Sequence, residues 1–298
     1  MSDRASGAPA HGDFRPRLRY RRAVGGVFAA ACFVAASVGI LALAALLVDV
    51  WRDGSGALSW RFITSFPSRF PARAGIGPAL AGSLWVLALT ALFSFPVGVG
   101  TAIWLEEYAP RTRLTRLIQV NISNLAGVPS IVYGILGLAV FVRGLALGQS
   151  VIAGALTLTL LILPIIIIAA QEAIRAVPSS IRMASLALGA TRWQTVRHHV
   201  LPIAMPGILT GTILALSRAV GEAAPLLVIG AVAFVPFVPA RLSDSFTVLP
   251  IQIFNWISRP QAEFHALAAA GILVMLAVLV ILNGAAILLR NRYSKRLQ

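Results

Sequence analysis

The stretch L-A-L-G-A-T-R-W-Q-T-V-R-H-H-V-L-P, residues 186–202, is amphipathic and lies between two long apolar segments. Gly189 is the residue type that most often ends a helix in the left-handed conformation. Thr191, with a glutamine three residues later, forms a capping box that starts another helix. With Ser180 as the cap of a first helix, the pattern predicts two short helices joined at Gly189, the second ending at Pro202.

The surrounding sequence has the composition of a membrane protein. Of 298 residues, 58% are hydrophobic and 12% charged, about half the charged fraction of a soluble domain. A helix that crosses a bilayer core needs about 20 apolar residues. Because lipid offers no hydrogen bonds to the backbone, such uninterrupted apolar runs must be helices. We therefore predict an all-α bundle, residues 23–298, with six transmembrane helices at about 23–50, 79–105, 120–142, 151–170, 201–220 and 266–289.

The basic residues predict the orientation of these helices. Alternate gaps between the apolar runs hold 17 Lys and Arg on one side and 7 on the other, and the richer side is expected to be cytoplasmic. Both termini, a basic and disordered arm at residues 1–22, and the loop at residues 180–202 are then cytoplasmic. Basic residues that follow topology in this way do not indicate nucleic-acid binding. Residues 225–240, with three prolines, are predicted to re-enter the membrane or lie on its outer surface.

Two pairs of charged residues stand out at helix ends. Arg218 and Glu222, four residues apart at the outer end of the fifth helix, must face the bundle interior or a wet cavity. They are either a neutralising pair that fixes helix packing or part of an anion path. Glu172 and Arg175, three residues apart at the inner end of the fourth helix, are either a solvated pair or an inner gate.

Other residue types indicate no chemistry in this chain. The one lysine, Lys295, lies in the C-terminal tail, so there is no phosphate-binding loop for ATP. The histidines have no companions at metal-ligand spacing. We therefore predict no catalytic, cofactor or metal site. Gly207 and Gly211 form a small-residue pair that favours close helix packing, here interpreted as weak support for a partner interface.

The loop carries a family resemblance. Gly189, nine further residues and H-V-L-P at 199–202 resemble the loop signature E-A-A-x3-G-x9-I-x-L-P of binding-protein-dependent ABC transporter permeases, although Met183 replaces the acid and His199 the isoleucine. The resemblance implies the ABC importer permease (MetI-like) fold and a loop that inserts into a cleft of a cytoplasmic ATPase. The docking residues it implies are Ser185, Gly189, Ala190, Thr191, Arg192, Leu201 and Pro202.

Further blocks resemble the phosphate-permease branch of this family, the PstA type. They are LALSRAVGEAAPLL at 214–227, LPIQIFNWISRPQAEF at 249–264 and QEAIRAVP at 171–178. The resemblance implies an importer of inorganic phosphate in the bacterial inner membrane, with Arg218 and Glu222 in the translocation path. It implies as partners a PstC-like second permease, two PstB-like ATPases that bind ATP and Mg²⁺, and a PstS-like extracytoplasmic phosphate-binding protein.

Three alternatives stay open at this point. Permeases for sulfate or molybdate are expected to have the same type of docking loop, so the loop does not identify the transported anion. A secondary transporter driven by ions would use Glu222 as its carrier, but it predicts internal repeats, which the sequence lacks. A scaffold or sensor that transports nothing would have no need of the bent two-helix loop.

Overall fold

The chain folds as α-helix, so the predicted all-α class is confirmed. The computed structural model describes residues 18–231 and 234–295, and these residues contain no β-strand. One 3₁₀ turn, Pro71–Arg73, and three π-helical turns, Trp104–Tyr108, Leu138–Gly144 and Val196–Val200, separate or extend the helices. The helices are α1 Leu18–Ser55, α2 Trp60–Thr64, α3 Gly77–Ile103, α4 Arg113–Leu125, α5 Ser130–Gly137, α6 Val151–Arg175, α7 Ser179–Ala187, α8 Arg192–Thr195, α9 Leu201–Val220, α10 Ala224–Val228, α11 Leu249–Ile257 and α12 Ala262–Lys295.

Most of the predicted membrane spans are single helical segments. Within the described residues, five segments are long and apolar enough to cross a bilayer: Val24–Ser55, Gly77–Tyr108, Val151–Arg175, Arg192–Val220 and Ala262–Arg292. The third predicted span, residues 120–142, is wrong as a continuous helix, because α4 and the segment Ser130–Gly144 meet at 105°. Pro129, directly before α5, disfavours helix in the residue that precedes it. Counted as one crossing, the bent pair brings the total to the predicted six.

The helix α6 forms the centre of the bundle, with α3 and α9 packed against it. Ile162 and Ile166 of α6 are fully buried. A methyl group added at Gly207 or Gly211 of α9 would meet Ala173 or Ala169 of α6. These two glycines therefore allow two helices of one chain to approach closely, and our interpretation of them as support for a partner interface was wrong.

Two compact units are distinguished, Met1–Asp49 and Val50–Gln298. In the first, α1 exposes nearly all its described apolar side chains, including Phe28, Phe33 and Leu41, as expected of a helix surrounded by lipid. The predicted disordered arm, residues 1–22, lies outside the described residues as far as residue 17. From Leu18 onward the chain is helical, so the last five residues of that arm were assigned wrongly.

Among the described residues, the segment that follows α9 contains no helix long enough to cross a bilayer. In the predicted re-entrant region, residues 225–240, α10 packs against α5, and Leu226 and Ile229 are buried. Further along the segment, Phe234 and Phe237 are exposed, and whether residues 225–240 re-enter the membrane stays a prediction. We call this end of the bundle the outer end, and the end that carries α7 and α8 the loop end.

Candidate functional site

The connection at the loop end is the two-helix structure that its sequence predicts. Gly189 has φ of +85°, the left-handed conformation that glycine adopts without strain. The Gln194 N–H donates to Thr191 Oγ1 at 3.3 Å and the Thr191 N–H to Gln194 Oε1 at 2.8 Å, so the capping box is confirmed. The predicted cap at Ser180 is wrong, because α7 begins at Ser179 directly after Pro178 and has no side-chain cap.

The second helix of the loop does not end at Pro202. It continues through the π-helical turn Val196–Val200 into α9, where the Leu201 N–H donates to the Val196 carbonyl. A proline ring normally clashes with the carbonyl four residues earlier. The wider turn directly before Pro202 accommodates the ring, so the loop helix and the membrane helix form one segment, Arg192–Val220.

Polar residues lie inside the bend of the loop. The hydroxyl oxygens of Ser185 and Thr195 are 2.9 Å apart, and both residues are buried. The predicted docking residue Ser185 therefore holds α7 and α8 together instead of facing outward.

Apolar side chains form the outer surface of the loop. Leu188, next to Gly189, is 90% exposed, and Met183 and Trp193 are also exposed. Of the other predicted docking residues, Thr191 and Arg192 are exposed, whereas Ala190, Leu201 and Pro202 are half-buried. Leu188, Met183 and Trp193 were not predicted to dock, and we call these three residues the loop tip. An apolar, solvent-exposed tip at a helix bend is typical of a docking surface.

Arg175 donates more hydrogen bonds to Glu106 than to Glu172, its predicted partner, and the sequence pattern did not indicate Glu106. Its Nε donates to Glu106 Oε2 at 2.9 Å and its Nη2 to Glu106 Oε1 at 2.6 Å, while Nη1 reaches Glu172 Oε1 at 3.1 Å. The Gln171 amide donates to the same Glu106 carboxylate at 2.7 Å. The predicted inner-gate pair, Glu172 and Arg175, is thus the exposed edge of a network centred on Glu106. Its role as a gate stays a prediction.

The neighbouring acid, Glu107, binds the loop itself. Arg182 of α7 donates from Nε and Nη2 to Glu107 Oε1 at 2.9 and 2.8 Å. The same guanidinium donates to the carbonyls of Val177 and Ile174 at 2.7 and 2.9 Å. The pattern W-L-E-E-Y at 104–108 was the signal available in the sequence, since two adjacent acids at the end of a membrane helix need basic partners.

Arg218 and Glu222 form the ion pair that their spacing predicts. Arg218 Nε lies 3.3 Å from Glu222 Oε1, with side chains 53% and 16% exposed. Glu222 lines a narrow cavity together with Ser83 and Leu158. Among the described residues, the guanidinium donates to Glu222 from Nε alone, so its other donors, on a side chain that is 53% exposed, have no partner there. An anion is the ligand to which such groups would donate, and the transport role of the pair stays a prediction.

The outer end is fixed by a loop that contacts the start of α6. The carbonyls of Asp244 and Leu242 accept the N–H groups of Val151 and Ile152 at 3.0 and 3.1 Å. The Asp244 carboxylate accepts N–H groups from Arg241 and Ala240, which lowers the pKa of Asp244 below its usual value. This loop therefore satisfies backbone donors that the first turn of α6 would otherwise leave unpaired.

The part of the chain that the structure describes contains no group of three His, Cys, Asp or Glu residues placed to hold a metal ion. His198 and His199 are exposed beside the loop. His265 lies with Nε2 at 2.9 Å from the Arg259 carbonyl. These three histidines therefore occupy surface positions, and the polar contacts of the described residues centre on the loop and the charged networks.

Comparison with known proteins identifies the family. Residues 94–295 match the family model described as "Binding-protein-dependent transport system inner membrane component". The chain is 42% identical over 189 residues to the probable ABC transporter permease protein YqgI of Bacillus subtilis, a match that covers 62% of this chain and 64% of that relative. It is 33% identical over 295 residues to the phosphate transport system permease protein PstA 1 of Mycobacterium tuberculosis, covering 95% of this chain and 94% of the relative.

A solved structure confirms the fold. The chain is similar to a chain of a bacterial alginate ABC transporter in complex with its alginate-bound periplasmic protein, with a TM-score of 0.67, 15% identity, and coverage of 94% of this chain and 98% of that one. The predicted ABC permease fold is therefore confirmed. Because the family model matches more than half of the sequence and the mycobacterial relative matches nearly all of it, the chain belongs to the binding-protein-dependent transport system inner membrane components, the multi-pass permease subunits of ABC transporters.

Proposed function

We propose that this permease is one of two membrane subunits of an ATP-driven importer of inorganic phosphate, and that it forms half of the translocation path beside a PstC-like second permease. The observation that carries the proposal is the 33% identity to a phosphate permease over 95% of the chain. The exposed apolar residues along several membrane helices, such as Leu92 of α3 and Leu214 of α9, leave room for a partner helix or lipid.

The motor is a separate pair of PstB-like ATPases, which bind ATP and Mg²⁺. This chain has no phosphate-binding loop of its own. Support for a docked ATPase comes from the loop tip, because Leu188 presents nearly all its apolar surface to solvent on a bend that Gly189 permits and the Ser185–Thr195 hydrogen bond holds. Thr191 and Arg192 supply polar contacts around the tip.

The anion passes Arg218 on its way. The guanidinium is half exposed and has donors to spare, so it attracts an oxyanion. Glu222 competes for the same guanidinium and keeps the anion from being held too tightly, since transport requires release as well as entry. A PstS-like binding protein delivers phosphate at the outer end, and both termini of the permease are cytoplasmic, as the distribution of Lys and Arg favours.

The nearest alternative is an ABC importer of the same type that transports sulfate or molybdate. One arginine does not distinguish tetrahedral oxyanions, and selection among them rests mainly with the binding protein. An ion-driven secondary carrier is less well supported, because such a carrier has no use for an exposed two-helix loop. Its carrier residue would be Glu222.

Co-purification and uptake together test the proposal. The chain, tagged and expressed with its neighbours in native membranes, should bring down a second permease and a Walker-motif ATPase. The same complex in proteoliposomes, supplied with a binding protein and ATP, should accumulate radiolabelled phosphate despite a large excess of unlabelled sulfate or molybdate. If sulfate or molybdate suppresses phosphate uptake, the competing anion and not phosphate would be the transported substrate. Recovery of the permease without any ATPase would contradict the proposal of an ATP-driven importer and favour an ion-driven secondary transporter.

A further inference from the structure

Two consecutive glutamates connect a membrane helix to the loop. Glu106 and Glu107 lie on the π-helical turn Trp104–Tyr108 that extends α3. Their partners, Arg175 and Arg182, flank the short turn between α6 and α7. Successive residues in an α-helix point about 100° apart, and the wider π turn brings adjacent side chains closer in direction. Both acids therefore reach the same neighbouring structure.

The two ion pairs are not equivalent. In the Glu107–Arg182 pair, the side chains are only 12% and 22% exposed. In the Glu106–Arg175 pair, the acid is 14% exposed but the arginine 47%. Arg175 also has Glu172 as a second acid, so its charge remains paired if one partner is lost. Arg182 has Glu107 as its one acidic partner among the described ion pairs. Loss of Glu107 would therefore leave a largely buried charge without a partner, so breaking this pair should destabilise the structure more than breaking the other.

Arg182 also fixes the end of α6. Its guanidinium donates to the carbonyls of Ile174 and Val177, which belong to the last turn of α6 and the residues just after it. Carbonyls at a helix C-terminus lack partners within the helix and carry partial negative charge. One planar group thus joins three elements: α3 through Glu107, α6 through its terminal carbonyls, and α7, which bears the arginine.

We infer that Glu107 and Arg182 form the joint through which movement of the two-helix loop reaches the membrane helices α3 and α6, with Glu106 and Arg175 as a second, weaker contact. The inference rests on the proposed function, because a docked ATPase supplies the movement. Both residues are positioning residues, since neither belongs to the loop tip or to the Arg218 path; Arg182 precedes the tip residue Met183 on α7, but its side chain binds Glu107. Without the joint, α7 keeps the short turn at residues 176–178 and the apolar packing of Ile181, but it has no polar link to α3, and the loop should move with less rotation of α3.

The joint and the docking surface are separate. The loop tip and the Ser185–Thr195 bond lie on α7, α8 and the bend between them, and neither includes Glu107. A variant of Glu107 should therefore still bind the ATPase and support ATP hydrolysis. The Glu107 variant should fail to transmit the movement that ATP hydrolysis causes in the loop to the membrane helices. This separation distinguishes a transmission role from a role in assembly or folding.

The test measures phosphate transported per ATP hydrolysed, in the reconstituted complex, for Glu107→Gln and Arg182→Lys. Glu107→Gln keeps the shape of the side chain but loses its charge, and Arg182→Lys keeps the charge but loses the planar fork that reaches two carbonyls. Both should co-purify with the ATPase and hydrolyse ATP, while the transport-to-ATP ratio falls about tenfold, within the usual range of coupling between sites. Glu263→Gln, at an exposed acid in the first turn of α12 that belongs to neither network, is the control and should keep the wild-type ratio.

Hydrogen exchange adds a readout that does not depend on cargo. ATP should change the exchange of backbone amides in residues 179–195 and also in residues 100–108 of the wild-type complex. In Glu107→Gln, the change should stay confined to residues 179–195. A wild-type ratio together with an unaltered response at residues 100–108 in both variants would overturn the inference. A wild-type complex that hydrolyses ATP but carries no phosphate would instead contradict the proposed cargo, and the exchange comparison would still decide the role of the joint.

Discussion

The hydroxyl groups of Ser185 and Thr195 meet 2.9 Å apart at the buried inside of the bend between α7 and α8. Gly189 turns the chain at the tip of that bend, and the Thr191 capping box starts the second helix. The Ser185–Thr195 hydrogen bond and the capping box therefore define the shape of the loop, and its exposed surface combines the apolar loop tip with Thr191 and Arg192. A loop built in this way presents a fixed surface to a partner.

Removing either hydroxyl should loosen this bend. Ser185→Ala or Thr195→Val leaves one buried hydroxyl without a partner, at a cost of about 1–3 kcal/mol. The double variant should cost less than the sum of the two, because it leaves no orphaned group. Hydrogen exchange at the Gly189 and Ala190 amides, which bond back to α7, measures the effect. Ser258→Ala, at an exposed hydroxyl, is the control, and strictly additive single effects would contradict the direct bond.

Leu188 should matter for the ATPase and not for the permease alone. Because its side chain is almost fully exposed, Leu188→Ser should change the free energy of unfolding by less than about 0.5 kcal/mol. As an apolar anchor in a partner cleft, it should cost at least about 2 kcal/mol of ATPase binding, roughly a thirtyfold loss of affinity. Titration of the detergent-solubilised permease with purified ATPase measures this. Leu145→Ser, at an exposed leucine of the outer end, should bind as the wild type does, and equal losses in both variants would count against the loop tip.

Two glycines in neighbouring helices should respond oppositely to alanine. At Gly211 an added methyl meets Ala169 of α6, so Gly211→Ala should push the helices apart and destabilise the bundle by about 1–3 kcal/mol. At Gly100 of α3 nothing lies within 4 Å of the added methyl, and Gly100→Ala should be neutral or stabilising by up to about 1 kcal/mol. Thermal unfolding in a single detergent compares them. Equal stability of the two variants would contradict the close packing of α6 and α9.

Local patterns in the sequence predicted local structure well. The length of the apolar runs predicts the membrane helices, because lipid forces every backbone group into helix. The capping box and the left-handed glycine at 189 depend on three or four adjacent residues, and both were predicted correctly. The break in the third span was missed, because Pro129 signals a bend only if it outweighs a long apolar run. The continuation of the helix past Pro202 was missed because it depends on a π turn that no pattern encodes.

Partners between distant segments could not be predicted from one sequence. Glu106 and Arg175 are 69 residues apart, and Glu107 and Arg182 are 75 apart. The spacing of Glu172 and Arg175 pointed to a pair within one helix, which is the weaker half of the actual network. Likewise, the glycine pair on α9 announced close packing without showing that its partner is α6 of the same chain. The inward direction of Ser185 required the angle of the bend.

Arg218 should be required for transport but not for assembly. Arg218→Ala removes the exposed donors that attract an anion, while the pair it breaks is long and its arginine is half exposed, so the complex should still form. Phosphate uptake should be abolished. Arg290→Ala is the control, because Arg290 donates to Thr210 Oγ1 at 3.0 Å near the loop end and lies away from the proposed path. Wild-type uptake by an assembled Arg218→Ala complex would exclude Arg218 from that path.

Glu222 should act on release of the anion more than on its entry. In Glu222→Gln the amide holds Arg218 less firmly than the carboxylate does, so the guanidinium is freer to retain phosphate. We expect the complex to bind phosphate more tightly while the maximal uptake rate falls severalfold, so that the apparent KM and the maximal rate decrease together. Initial uptake rates over a range of phosphate concentrations in proteoliposomes measure both quantities. If KM rises instead, Glu222 assists capture, and its proposed competition with the anion for Arg218 is wrong.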